Sequence, residues 1–225
     1  MSMPSAFERF RDSMTIGLDA WRDGTGYDLA ALREMNAEEL KSVRAILQGR
    51  NDWRDAEALA AIAFIEQQRA AVDGSASPRE VNDDGSFNAL RRMLNDGALP
   101  LNTRLQAGEE LKELGHELDL TDLVLAMLKA GREDMATLSR AMDHVEWNLP
   151  ASEKLKLGVL KLLRHAKESY AFHLASLAWV AFGLCESTSD LSQREHWQRF
   201  ADEPTREAAF AELIARVNAD PKHLG

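Results

Sequence analysis

Residues 102–115 read Asn102-Thr103-Arg104-Leu105-Gln106-Ala107-Gly108-Glu109-Glu110-Leu111-Lys112-Glu113-Leu114-Gly115. Ala107 and Gly108 sit one turn before Leu111, and Leu114 falls one turn after it. A helix here carries a narrow apolar stripe with small residues at its centre. Small residues admit a close neighbour. The narrow stripe requires one, because it buries too little to form a core alone. The stretch therefore predicts stacked helical hairpins, an architecture that usually binds other macromolecules.

The rest of the chain agrees with a helical reading. Of 225 residues, 45% are hydrophobic and 28% charged, which suits a folded soluble protein. Strand punctuation is scarce, with 6 prolines, 13 glycines and 2 tyrosines, while Ala, Leu, Glu and Arg favour helix. Ser5 with Glu8 has capping-box spacing, and Phe7, Phe10, Met14, Leu18 and Trp21 follow as a stripe that Gly24 and Gly26 end. A short helical turn fits 28–35. Asn36 with Glu39 is a second cap signal, before Leu40, Val43, Ile46 and Leu47. Asp52 caps a helix reaching about Val72. The fold class predicted is all-α, an α-α superhelix of stacked antiparallel helix pairs.

Four segments follow within one structural domain. Residues 1–72 form an N-terminal helical module. Residues 73–86, rich in Gly, Ser, Pro, Asn and Asp, are expected to be a mobile loop. Residues 87–185 form helical pairs: 87–95 with 103–117, 121–130 with 133–147, and 152–167 with 169–185. Residues 186–225 cap the array. Met93-Leu94 before Gly97, Met127-Leu128 before Gly131 and Leu162-Leu163 before Ala166 recur at steps of 34 and 35 residues. That period marks a stacked helical array.

With these residues in view, a resemblance can be stated. The 103–115 stretch resembles the second helix of a HEAT-type repeat: an Arg, then small residues, then Leu, closing on Leu-Gly. Residues 26–32 (Gly-Tyr-Asp-Leu-Ala-Ala-Leu) with 52–59 (Asp-Trp-Arg-Asp-Ala-Glu-Ala-Leu) are similar to an N-terminal module of bacterial HEAT-like proteins. The resemblance covers about residues 26–147. It implies an α-α superhelix used for protein contacts and no shared catalytic residues. The 169–185 helix lacks both the Arg and the Leu-Gly ending.

Charge narrows the partner. The net charge is −10 and the pI about 5.1, so the surface repels phosphate backbones and nucleic acid is not expected. A basic protein partner is compatible, since opposite fields speed encounter. No membrane span is expected, because the most apolar run, 170–185, is shorter than the ~20 residues that a span needs. Charged residues at 8–12 leave no apolar signal core, and a cytoplasmic location is expected. The apolar helix at 171–184 needs cover on several sides, which the last helices supply as a lid. A homodimer through those helices is the alternative.

Chemistry is sparse. None of the six histidines makes a His-x-x-x-His or His-Glu-x-x-His spacing, so no metal and no cofactor are expected. His173 reads as a hydrogen-bonded core residue, and Cys185, the single cysteine, as a buried inert thiol. The Asp83-Asp84-Gly85 stretch would put Arg91 where a calcium loop needs a bidentate Glu, so it is rejected. Neighbouring acids such as Glu109 and Glu110 read as solvated charges. The expected function is therefore a non-catalytic protein–protein interaction module with no catalytic residues. Two alternatives stand beside it: an immunity-type inhibitor of a basic toxin or nuclease, and an enzyme (lyase or glycosylase) on a helical-repeat scaffold. An enzyme would need convergent acids in a cleft or a basic groove, and neither is expected. The partner-binding candidates are Glu109, Glu110, Glu113, Asp143, Glu146 and Trp147. Met135, Leu138, Met142 and Val145 are expected to point inward.

Overall fold

Helix starts are set by local side chains. Ser5 Oγ accepts the Glu8 amide at 3.2 Å while the Glu8 carboxylate accepts the Ser5 amide at 2.8 Å. Asn36 and Glu39 make the same reciprocal pair at 3.0 and 2.9 Å. Each box satisfies two amide donors that a helix start leaves unpaired. The computed structural model describes residues 4–15, 26–50, 52–73 and 85–218. Among them are twelve α-helices and no strand. These are α1 (Ala6–Ser13), α2 (Leu29–Glu34), α3 (Ala37–Leu47), α4 (Trp53–Asp73), α5 (Ser86–Asn95) and α6 (Leu101–Glu113). They continue with α7 (Thr121–Ala130), α8 (Met135–Trp147), α9 (Glu153–His165), α10 (Glu168–Ala181), α11 (Arg194–Ala201) and α12 (Glu203–Val217). No helix among the described residues is long and apolar enough to cross a membrane.

The chain divides into two compact units, Met1–Leu118 and Asp119–Gly225. In the first, α1 packs on α2, α2 and α3 pack on α4, and α4 packs on both α5 and α6, which form a hairpin. The core holds Leu32, Leu40, Leu47, Leu59, Ile62, Leu90 and Leu111, each fully buried. Burial of such a side chain stabilises by about 1.5–3 kcal/mol. Ala107 and Gly108 are buried as well, as their small size at a helix contact predicts.

In the second unit α7 pairs with α8 and α9 with α10. The pairs stack first helix on first (α7 on α9) and second on second (α8 on α10). Then α11 packs on α10 and α12 on α11. Trp197 and Phe200 of α11 are buried over α10, where Phe172 meets the Trp197 ring at 5.8 Å and Trp179 meets Phe200 at 5.8 Å, both edge to face. These edge-on contacts align ring quadrupoles favourably.

Several sequence expectations change. The first helix ends at Ser13, so Met14 caps it; Leu18 and Trp21 lie outside the described residues. The loop expected at 73–86 falls mostly there too, as do Asp83 and Asp84, while Asp73 and Ser86 belong to helices. The helix expected at 169–185 stops at Ala181. Gly183 adopts φ +69, and the Leu184 amide donates to the Trp179 carbonyl at 2.8 Å. Gly115 ends α6 in the same way at φ +89, with the His116 amide donating to the Leu111 carbonyl at 3.0 Å. Both are left-handed glycine caps, so the α10 pair closes on Phe182-Gly183 where α6 closes on Leu114-Gly115. Met135 is half exposed at the start of α8, whereas Leu138, Met142 and Val145 point inward as expected.

Candidate functional site

The six candidate residues fall in two places, one in each unit. On α6, Glu110, Glu113 and Leu114 share a face at spacings of three and four. Across from them α4 presents Glu57, Ala60, Ala61 and Phe64, and α2 presents Leu29, Ala30 and Arg33. These residues line an open cleft of about 660 Å³. That volume is within the range of small-molecule sites. Phe64 is 47% exposed, an unusual state for a ring on a helix whose neighbours are buried.

Glu109, Glu110 and Glu113 do not form one solvated face. Glu113 is exposed, while Glu109 and Glu110 are half-buried. The reading of Glu110 as a solvated charge is thus corrected: i+3 and i+4 geometry turns it toward α4. Gln106 Nε2 donates to Glu110 Oε1 at 2.7 Å. Burial, aided by the nearby charges of Glu113, Glu57 and Glu109, pushes the Glu110 carboxyl up to about 7, against the opposing Gln106 hydrogen bond. A cleft lined by three acids therefore exists where none was expected. Adjacent letters in a sequence show which acids share a helix, not which neighbour desolvates them. The lining includes no Ser, Thr, Cys, His or Tyr, and Glu110 is poised to exchange a proton near neutrality. Glu57 and Phe64 were not singled out from sequence. Their seven-residue spacing on the small-residue face of α4 was the available signal.

The second place is the end of α8. Trp147 is 75% exposed and Leu149, two residues on, is 40% exposed. Asp143 and Glu146 are half-buried. Glu146 accepts from Ser187 Oγ at 3.3 Å and from the Thr188 amide, so it anchors the loop after α10. It is a structural ligand of that loop more than a surface charge. Leu191, just beyond the anchored loop, is 75% exposed.

Other titratable groups serve packing. Asp55 is fully buried and accepts from Tyr27 Oη at 2.8 Å and from the Asp52 amide at 2.8 Å, with Arg50 Nε 3.4 Å away. Burial raises the Asp55 carboxyl and takes the Tyr27 hydroxyl up to about 12. Arg54 pairs with Asp52 at 2.7 Å and lies 5.4 Å over the Tyr27 ring. The cluster ties the chain before α2 to the start of α4. His173 is half-buried beside the Phe172 ring at 5.4 Å, and burial lowers its pKa. Cys185 is half-buried rather than fully buried; burial takes its thiol up to about 11, which keeps it protonated. Among the described residues no group of three or more His, Cys, Asp or Glu side chains is gathered to hold a metal ion. No protein-family model, curated protein or solved structure matches the chain.

Proposed function

We propose that the protein is a non-catalytic protein-binding module of the HEAT-like kind, working in a bacterial cytoplasm. The observation that carries this reading is Trp147, whose ring stands 75% exposed at the end of α8 beside exposed Leu149. Exposing a large ring to water is unfavourable, and tryptophan is the residue most often found as a buried anchor once a partner covers it. The stacked pairs α7/α8 and α9/α10 support the repeat reading, since each pair alone would leave an apolar face uncovered. The net charge of −10 favours a basic partner. An immunity-type inhibitor of a basic toxin or nuclease is the narrower form of the same idea.

The test is a comparison of wild-type and Trp147→Ala protein, each immobilised and exposed to extract of the native host. A specific partner should be held by the wild type and leave the variant roughly tenfold faster or more. A partner retained equally by both would remove Trp147 as the anchor.

A further inference from the structure

The α2–α4–α6 cleft lies in the first unit and does not enter the Trp147 reading. We propose that it is a binding site for an amphipathic organic cation, a small ligand with an ammonium or guanidinium head on an apolar stem. Three features point to that class. First, the open cleft has a volume of about 660 Å³, large enough for a small ligand. Second, its walls are apolar along Leu29, Ala60, Ala61 and Ile65, and the half-exposed Phe64 ring extends them. Third, its charged lining is three acids, Glu57, Glu110 and Glu113, and one base, Arg33. Among the described residues no group of three or more acidic, His or Cys side chains is gathered for a metal ion, and the apolar walls beside the acids suit an organic cation better than a bare ion.

Glu110 makes the site pH-dependent. The groups that act on it are Glu57 from α4 and Glu113, Glu109 and Gln106 on its own helix, and Arg33 of α2 lines the same cleft. A bound cation stabilises the ionised carboxylate and displaces its proton. Affinity is therefore full above pH ~7 and falls as the pH drops below it.

The experiment titrates the full chain with n-hexylammonium, hexanol and hexanoate, followed by proton–nitrogen NMR at pH about 8 and about 6. The expected result is saturable binding of hexylammonium with shifts centred on the amides of α2, α4 and α6. It should bind about fivefold more tightly than hexanol at the higher pH, with hexanoate weakest. That advantage should shrink at the lower pH. Glu110→Gln should remove the pH dependence, and Phe64→Ala should weaken hexylammonium and hexanol alike by loss of the apolar wall. Glu113→Gln, at an exposed position, is the control for folding and should reduce only the ammonium preference. Equal binding of hexylammonium and hexanol, shifts centred elsewhere, or no saturable binding would overturn the proposal.

Discussion

Glu110 shows what burial does to one carboxyl. Its folded-state pKa of about 7 stands above the ordinary value of 4.5. The folded protein then binds this proton more tightly than the unfolded chain, so the stability this group contributes is fully present below about 4.5 and is lost as pH rises through about 7. Glu110→Gln removes that penalty. It should raise stability by about 1–2 kcal/mol above pH 7, once solvent screening of a half-exposed group is allowed for, and change little near pH 4.5. Thermal melts at the two pH values check this, and equal gains at both would refute it. Asp55 is also raised by burial, but it is fully buried and held by Tyr27, the Asp52 amide and Arg50. Asp55→Ala leaves the Tyr27 hydroxyl and the Asp52 amide without their acceptor. It should cost about 3–5 kcal/mol, read from the midpoint of urea unfolding at constant slope.

At the scale of elements, the steps of 34 and 35 residues bring Gly131 and Ala166 to the caps of α7 and α9 and Gly97 one residue past the Asp96 cap of α5, and the two glycines differ physically. A methyl added at Gly131 would lie 2.6 Å from Leu138 Cβ and 2.9 Å from its Cα. The backbone cannot yield cheaply there, so Gly131→Ala should destabilise by about 1–3 kcal/mol. Nothing lies within 4 Å of the same position at Gly97. Gly97→Ala should be neutral or stabilise by up to about 1 kcal/mol through the unfolded chain. Measured side by side in chemical denaturation, equal effects would show that the contact at Gly131 is not the cause. The pattern revealed the spacing, but only packing distinguishes a required glycine from an incidental one.

For the whole molecule, charge is the property that reaches beyond any one element. With 37 acids against 27 basic side chains, the net field repels a phosphate backbone. A gel-shift assay with duplex DNA at low salt should show no retardation, and a salt-sensitive complex would contradict the charge argument. Association with a basic partner should instead slow as salt is added, because screening shortens the reach of the field.

The sequence alone determined that the described chain is helical and where most helices begin. Capping boxes, apolar stripes and turn glycines act within one or two turns, and their spacing is visible in the letters. It also revealed which helices pair, because short connections force consecutive helices together. Where a helix ends was less legible: Gly183 lies inside an apolar run, and its left-handed cap depends on one backbone angle. Sequence identified Trp147 as a residue ending a helix, and its exposure followed from that place. The cleft was decided by tertiary structure. Glu110 sits on α6 while Glu57 and Phe64 sit on α4, and desolvation of a carboxyl depends on what packs across from it, a neighbour that no local pattern names.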